Sequence, residues 1–239
     1  MNTVKIDKKN TLMVAHRGVS GIEKENTCAA FVAAGNRSYY GVETDVHRTG
    51  DGKFVICHDA DLFRVAGEKI NVEEVSLELS ESVVLFDRDG TKDRNDLRPC
   101  ALEDYIKICK KYEKHCVLEL KSAFTDEEIA KIIEIINGFE YLENTTFISF
   151  TFDNLRKIRA LLPIQSAQYL FSEPSDRIFA AVLSEKLDVD VYHANLTKEL
   201  VDKYHEAGLK VNCWTVDSKE RAETLVSWGV DYITSNILE

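Results

Sequence analysis

The sequence predicts an α/β fold, a (β/α)8 TIM-type barrel with a small insertion after the second strand. Three observations predict it. Eight short apolar runs alternate strictly with amphipathic stretches, and such alternation implies parallel strands joined by helices. The chain has 239 residues, close to the roughly 250 of a typical barrel. No G-x-G-x-x-G follows the first strand, so a doubly wound open sheet is the weaker alternative.

The strands fall at Leu12–Ala15, Tyr40–Val46, Cys116–Leu120, Thr145–Phe150, Gln165–Leu170, Val189–Tyr192, Leu209–Thr215 and Val230–Thr234. Most are rich in strand-forming residues and bounded by turn or polar residues. The helices lie between them. Thr27–Asn36 follows Asn26, whose residue type suits an N-cap. Leu102–Lys111 places Leu102, Tyr105, Ile106 and Cys109 on one stripe. Asp126–Asn137 ends at Gly138, a C-cap signature, and Asp153–Leu162 stops before Pro163. Ser175–Leu183, Thr197–Ala207 and Ser218–Trp228 complete the set, the last two followed by Gly208 and Gly229.

One segment breaks this rhythm. "GDGKFVICHD" reads as a turn and a short strand that extends the second β unit. The mixed, charged stretch after it, at about residues 60–98, reads as an inserted subdomain within one catalytic barrel domain spanning 1–239. Insertions of this kind belong in βα loops, at the active end of a barrel.

Composition narrows the function classes. There are 41 acidic and 30 basic residues, for a net charge of −11. A nucleic-acid surface needs clustered Lys and Arg, so no nucleic-acid partner is expected. No apolar run reaches the ~20 residues of a membrane span, so no integral membrane segment is expected. The six cysteines form no C-x-x-C pair and sit mostly in apolar runs, as reduced core thiols do. With the short polar stretch before the first strand, they point to a cytoplasmic setting. The sequence carries no signature of oligomeric state.

The chemistry lies where apolar strands end in charge. His16 and Arg17 end the first strand, Glu43 and Asp45 the second, and Glu119 and Lys121 the third. Residues two apart on a strand share a side, so Glu43 aligns with Asp45 and Glu119 with Lys121. In a barrel all of them gather at the C-terminal mouth, where barrel enzymes keep their sites. Converging carboxylates either raise a pKa or bind a cation, and an all-oxygen donor set favours a hard ion such as Mg²⁺ or Ca²⁺.

His58, after a Val-Ile-Cys run, adds a second imidazole and with His16 suits paired acid–base work. Arg17 offers a fork for phosphate oxygens and Lys121 a point charge. Trp214 and Asn212 share a side at the end of the seventh strand and would face the pocket. Gln168, Ser149 and His193 are weaker candidates. His47 reads as a solvated loop residue, because Gly50-Asp51-Gly52 turns immediately after it. Taken singly, each group has a structural reading: a satisfied core histidine, a solvated strand end, a local ion pair, a core aromatic. Their joint placement favours a site.

The order His16-Arg17-Gly18, Glu25-Asn26-Thr27, Glu43-Thr44-Asp45, His58-Asp59 and Glu119-Leu120-Lys121 resembles the glycerophosphodiester phosphodiesterase family. The later "VNCWTVDS" and "GVDYITSN" resemble that family's last two strands, so the likeness runs from residue 12 to 239. One departure is Lys24, where the family often has Pro. The resemblance implies metal-dependent hydrolysis of a small glycerophosphodiester to sn-glycerol 3-phosphate and an alcohol. By match, Glu43, Asp45 and Glu119 would hold the metal, His16 and His58 would be the acid–base pair, Arg17 and Lys121 would hold phosphate, and Trp214 would line the glycerol side. Two alternatives stand beside this reading. One is a lysophospholipid-type phosphodiesterase, for which Ser82–Phe86 would be an apolar lip rather than local core. The other is a barrel that only senses a phosphorylated metabolite.

Overall fold

The computed structural model describes residues 2–239. Eight parallel strands close into a barrel: β1 (Leu12–Ala15), β2 (Gly41–Arg48), β5 (His115–Leu120), β6 (Thr145–Ser149), β7 (Ala167–Phe171), β8 (Asp188–Tyr192), β9 (Val211–Trp214) and β10 (Tyr232–Ser235). Closure is made by β10 against β1, with Leu12 opposite Tyr232 and Ala15 opposite Ser235. The helices α1 (Cys28–Gly35), α4 (Leu102–Lys111), α5 (Asp126–Gly138), α6 (Phe152–Leu161), α7 (Asp176–Ser184), α8 (Lys198–Glu206) and α9 (Lys219–Trp228) alternate with them.

The main core lies between strands and helices and includes Met13, Phe31, Tyr105, Ile106, Ile132, Phe147, Val189 and Leu225. A smaller apolar cluster, Val14, Val117, Ile148 and Leu170, fills the barrel interior below the mouth. Tyr105 ties a helix to two strands: its hydroxyl donates to the Val42 carbonyl at 2.7 Å and accepts from the Val117 amide at 3.1 Å. Capping follows residue type at most helix starts. Thr125 and Glu128 form a reciprocal capping box on α5, an arrangement worth about 1 kcal/mol.

Two local expectations fail for backbone reasons. Asn26 is not the N-cap of α1; it sits at φ 56°, whereas an N-cap needs extended backbone. Thr27, at φ −120° and ψ 156°, caps instead and accepts from the Ala30 amide. Gly138 does not end α5 in the left-handed region; the helix runs through it and Phe139 follows in right-handed geometry. Gly208 and Gly229 do take positive φ, at 77° and 86°.

The departure from barrel rhythm begins inside β2. Val46 still pairs with Leu120 of β5, while Val46, His47 and Arg48 also pair antiparallel with β3 (Phe54–Ile56). β3 then pairs with β4 (Cys100–Ala101). Between these lie α2 (Phe63–Ala66) and α3 (Leu77–Ser82), around their own apolar cluster of Val55, Leu62, Val65, Val72, Leu77, Val83, Leu85 and Leu97. Val83 and Leu85 are thus interior residues of this segment and present no apolar lip to solvent. No helix among the described residues is long and apolar enough to cross a membrane. All six cysteines are free thiols, five of them buried.

Candidate active site

The C-terminal mouth of the barrel holds a cleft of about 410 Å³ lined by His16, Arg17, Glu43, His58, Glu119, Asp190 and Trp214, among others. Glu43, Asp45 and Glu119 are all buried, and one carboxylate oxygen from each lies within 4.8 Å of the others. The strand period explains this: Glu43 and Asp45 are two apart on β2, and Asp45 is in register with Glu119 on β5.

These carboxylates are electrostatically strained. Burial, then the charges of Asp45 and Glu119, push Glu43 well above the usual carboxylate range. Burial and Asp45 push Glu119 up to about 7, outweighing the Lys121 ammonium 3.0 Å away. Asp45 goes the other way: burial opposes its charge, but Arg17, Lys121, His58 and the Asn26 amide outweigh burial. Asp45 Oδ1 is buried without a hydrogen-bond partner. Three clustered oxygen donors, one of them unpartnered, fit a hard divalent cation.

The loop after β1 is shaped to reach this cluster. Arg17 (φ 52°) and Gly18 (φ 76°) are both left-handed. A Cβ on Gly18 would lie 2.6 Å from the Ala30 side chain and 2.8 Å from its carbonyl carbon, so glycine is required there. The turn aims the Arg17 amide at Glu43 Oε2 (2.8 Å) and the guanidinium at Glu25 (2.9 Å) and Asp45 (3.5 Å). Lys121 Nζ lies 3.0 Å from Glu119 and 3.6 Å from Asp45. Asn26, in its own left-handed conformation, donates to Asp45 Oδ2 at 2.8 Å and accepts from the Thr44 hydroxyl at 2.8 Å.

The two histidines have different supports. His16 Nδ1 is 2.7 Å from Asn236 Oδ1, and the Asn236 amide nitrogen donates to Asp217 at 2.6 Å. An amide oxygen only accepts, so His16 carries its proton on Nδ1 and turns a bare Nε2 toward the cleft. Burial and the adjacent Arg17 charge hold His16 neutral, its pKa lowered to about 4. His58 Nδ1 instead faces the Asp59 carboxylate at 2.7 Å. Burial, Arg17 and Lys121 lower the His58 pKa, while Asp45 and Asp59 resist. Arg64 bridges Asp59 and Glu25, at 2.5 and 2.8 Å, so the α2 segment links the two histidine loops.

The outcome for the remaining residues is mixed. Trp214 lines the cleft, stacks edge-on with Phe150 at 5.4 Å and donates from Nε1 to the Asp190 carbonyl at 3.3 Å. Asn212 is consumed inside the barrel by Gln168, which accepts from it at 3.0 Å. Ser149 donates to the Leu120 carbonyl at 2.7 Å, and His193 opens a short 3-10 turn; neither lines the cleft. His47 is not a solvated loop residue. It is buried on β2, with Nδ1 2.9 Å from Glu73 and Nε2 3.1 Å from the His58 carbonyl. The turn at Gly50–Gly52 leads straight back as β3 and Glu73 covers the ring. Sequence reasoning missed Asp190, Asn236 and Asp217 as site residues; the final Asn in "GVDYITSN" was the available signal for Asn236.

Fold and cleft define a class: a (β/α)8 barrel with clustered carboxylates able to hold a cation at its C-terminal mouth. The sequence profile of the glycerophosphoryl diester phosphodiesterase family matches residues 16–238. A glycerophosphodiester phosphodiesterase of Caldanaerobacter subterraneus subsp. tengcongensis is 30% identical over 234 residues, covering 95% of this chain and 94% of the relative. A phosphodiesterase of Oleispira antarctica, solved in complex with the product sn-glycerol-3-phosphate, matches with a TM-score of 0.88 at 25% identity, covering 97% of this chain and 95% of that one. A glycerophosphodiester phosphodiesterase of Parabacteroides distasonis matches with a TM-score of 0.80 at 25% identity, covering 95% and 93%. The chain belongs to the glycerophosphoryl diester phosphodiesterase family and is a phosphoric diester hydrolase.

Proposed function

We propose that the protein hydrolyses glycerophosphodiesters to sn-glycerol 3-phosphate and an alcohol, with His16 and His58 as its acid–base pair. The observation that carries this reading is the contrast between the two rings in one cleft: His16 on an amide oxygen, His58 on a carboxylate. The O. antarctica relative, solved with sn-glycerol-3-phosphate, supports the product assignment.

Glu43, Asp45 and Glu119 would hold a Mg²⁺ or Ca²⁺ ion, which when bound supplies charge neutralisation and polarisation of a phosphate oxygen. Arg17 and Lys121 lie on either oxygen of the Asp45 carboxylate, beside the cation site, and would orient the phosphodiester. His16 Nε2 takes the proton of the attacking hydroxyl, either the glycerol 2-hydroxyl or water. The new P–O bond forms as the bond to the leaving alcohol breaks, and His58 delivers a proton to that alcohol oxygen. Asp59 stabilises the protonated His58 ring that this step needs. Internal attack gains from proximity and leaves a cyclic phosphate, which water opens with the histidines exchanging roles. Trp214 packs against the glycerol face of the substrate.

The test is turnover of glycerophosphocholine, glycerophosphoethanolamine and glycerophosphoglycerol. EDTA should abolish it, and Mg²⁺, Ca²⁺ or Mn²⁺ should restore it. His16→Ala and His58→Ala should each lower the rate by at least ~100-fold, the usual contribution of a positioned acid or base. Near wild-type rates in both variants would refute the assignment.

A further inference from the structure

Strand β8 reads Asp188-Val189-Asp190-Val191-Tyr192. Val189 and Val191 are buried in the layer between strands and helices, so Asp190 faces the barrel interior. It is in register with Leu170 on β7 and Asn212 on β9. Its exposure is 1%, yet it lines the cleft together with His16, His58 and Glu119. Its Oδ1 is buried and has no hydrogen-bond partner. An orphaned buried polar atom is uncommon in folded proteins and asks for a cause.

The neighbouring groups do not supply a partner. The Asn212 amide nitrogen donates to Gln168, and its oxygen accepts from the Cys213 amide and the Thr234 hydroxyl. Leu170 and Ile148 are apolar. The cleft cations are engaged elsewhere, Arg17 with Glu25 and Asp45, and Lys121 with Glu119 and Asp45. Asp190 is also outside the Glu43, Asp45 and Glu119 cluster. Burial, reinforced by the Glu119 charge, pushes the carboxyl well above its usual range and so favours its protonated form. A neutral carboxylic acid presents one O–H donor and an acceptor oxygen side by side. A hydroxyl group, itself donor and acceptor, is the matching ligand chemistry, whereas phosphate oxygens are matched by the cations already present.

We infer that Asp190 is a specificity residue that hydrogen-bonds a hydroxyl of the substrate's glycerol group at the floor of the cleft. This rests on the glycerophosphodiester reading above. A buried group built to bond a hydroxyl rejects ligands that lack it, because it is then left unpaired. Outside the bound state the same carboxyl is a cost to the fold.

The experiment compares calorimetric binding of sn-glycerol 3-phosphate and of propyl phosphate, which lacks both hydroxyls, to the Mg²⁺-loaded protein. The wild type should prefer glycerol 3-phosphate by about tenfold or more, the effect of one hydrogen bond to a buried group. Asp190→Leu should lose most of that preference, with propyl phosphate binding unchanged within about threefold. Asp190→Asn, which keeps a donor and an acceptor, should retain most of it. The Leu variant should unfold in urea at a midpoint no lower than wild type, since an unpartnered polar group has gone. Equal weakening of both phosphates in Asp190→Leu, or an unchanged preference, overturns the inference. Failure of the wild type to bind glycerol 3-phosphate at all would overturn the glycerophosphodiester reading beneath it.

Discussion

Replacing Asn26 by alanine removes two buried hydrogen bonds at once. The bond to Asp45 Oδ2, 2.8 Å, goes to a charged acceptor, and bonds of that kind contribute about 1.5–3 kcal/mol. The bond from the Thr44 hydroxyl, 2.8 Å, is neutral and contributes about 1 kcal/mol. Alanine must also hold φ 56°, a left-handed conformation costing about 1 kcal/mol for a residue with a Cβ. Asn26→Ala should therefore destabilise the protein by about 4 kcal/mol, and Asn26→Gly, free of the last cost, by about 3 kcal/mol. Urea unfolding of the two variants measures this. Loss of the Asp45 support should also weaken divalent-cation binding about 10–100-fold, measured by calorimetry on protein that remains folded. The reasoning is refuted if Asn26→Ala stays within about 1 kcal/mol of wild type, or if glycine is worse than alanine.

Gly18→Ala should cost about 3 kcal/mol or more, because its Cβ meets Ala30 backbone at 2.8 Å and φ is +76°; a urea midpoint near wild type would contradict the packing described. Asp59→Asn removes the charge that resists the lowering of the His58 pKa by burial. If protonated His58 delivers the leaving-group proton, the alkaline limb of kcat/KM against pH moves to lower pH. An unmoved limb means that His58 does not act through its protonated form.

The parts legible in the sequence are those where a side chain violates the pattern of its element. His16, Arg17, Glu43, Asp45, Glu119 and Lys121 stand out because apolar strands end in charge, and strand periodicity together with the barrel register puts the three carboxylates together. The parts that were not legible depend on backbone conformation or distant partners. Asn26 has the side chain of an N-cap, but its left-handed backbone gives that task to Thr27 and leaves the amide for Asp45. His47 lies before a Gly-rich turn, and Glu73, from a segment without periodicity, and the His58 carbonyl make it interior. Asp190 belongs to an alternating Asp-Val-Asp-Val run, which reads as a strand with one solvated face. In a closed barrel that face is enclosed, so alternation of polar and apolar residues no longer distinguishes water from interior.

The hydrogen bond between His16 and Asn236 spans 220 positions of chain, and β1 finds its second neighbour only in β10. Bringing such remote segments together is the slow, entropically costly part of assembling a fold. A ribosome-bound chain that has not yet released Asn236 lacks the oxygen that fixes the tautomer of its proposed base. The tautomer of the proposed base is therefore set only once β10 and the residue after it have emerged, together with closure of the barrel.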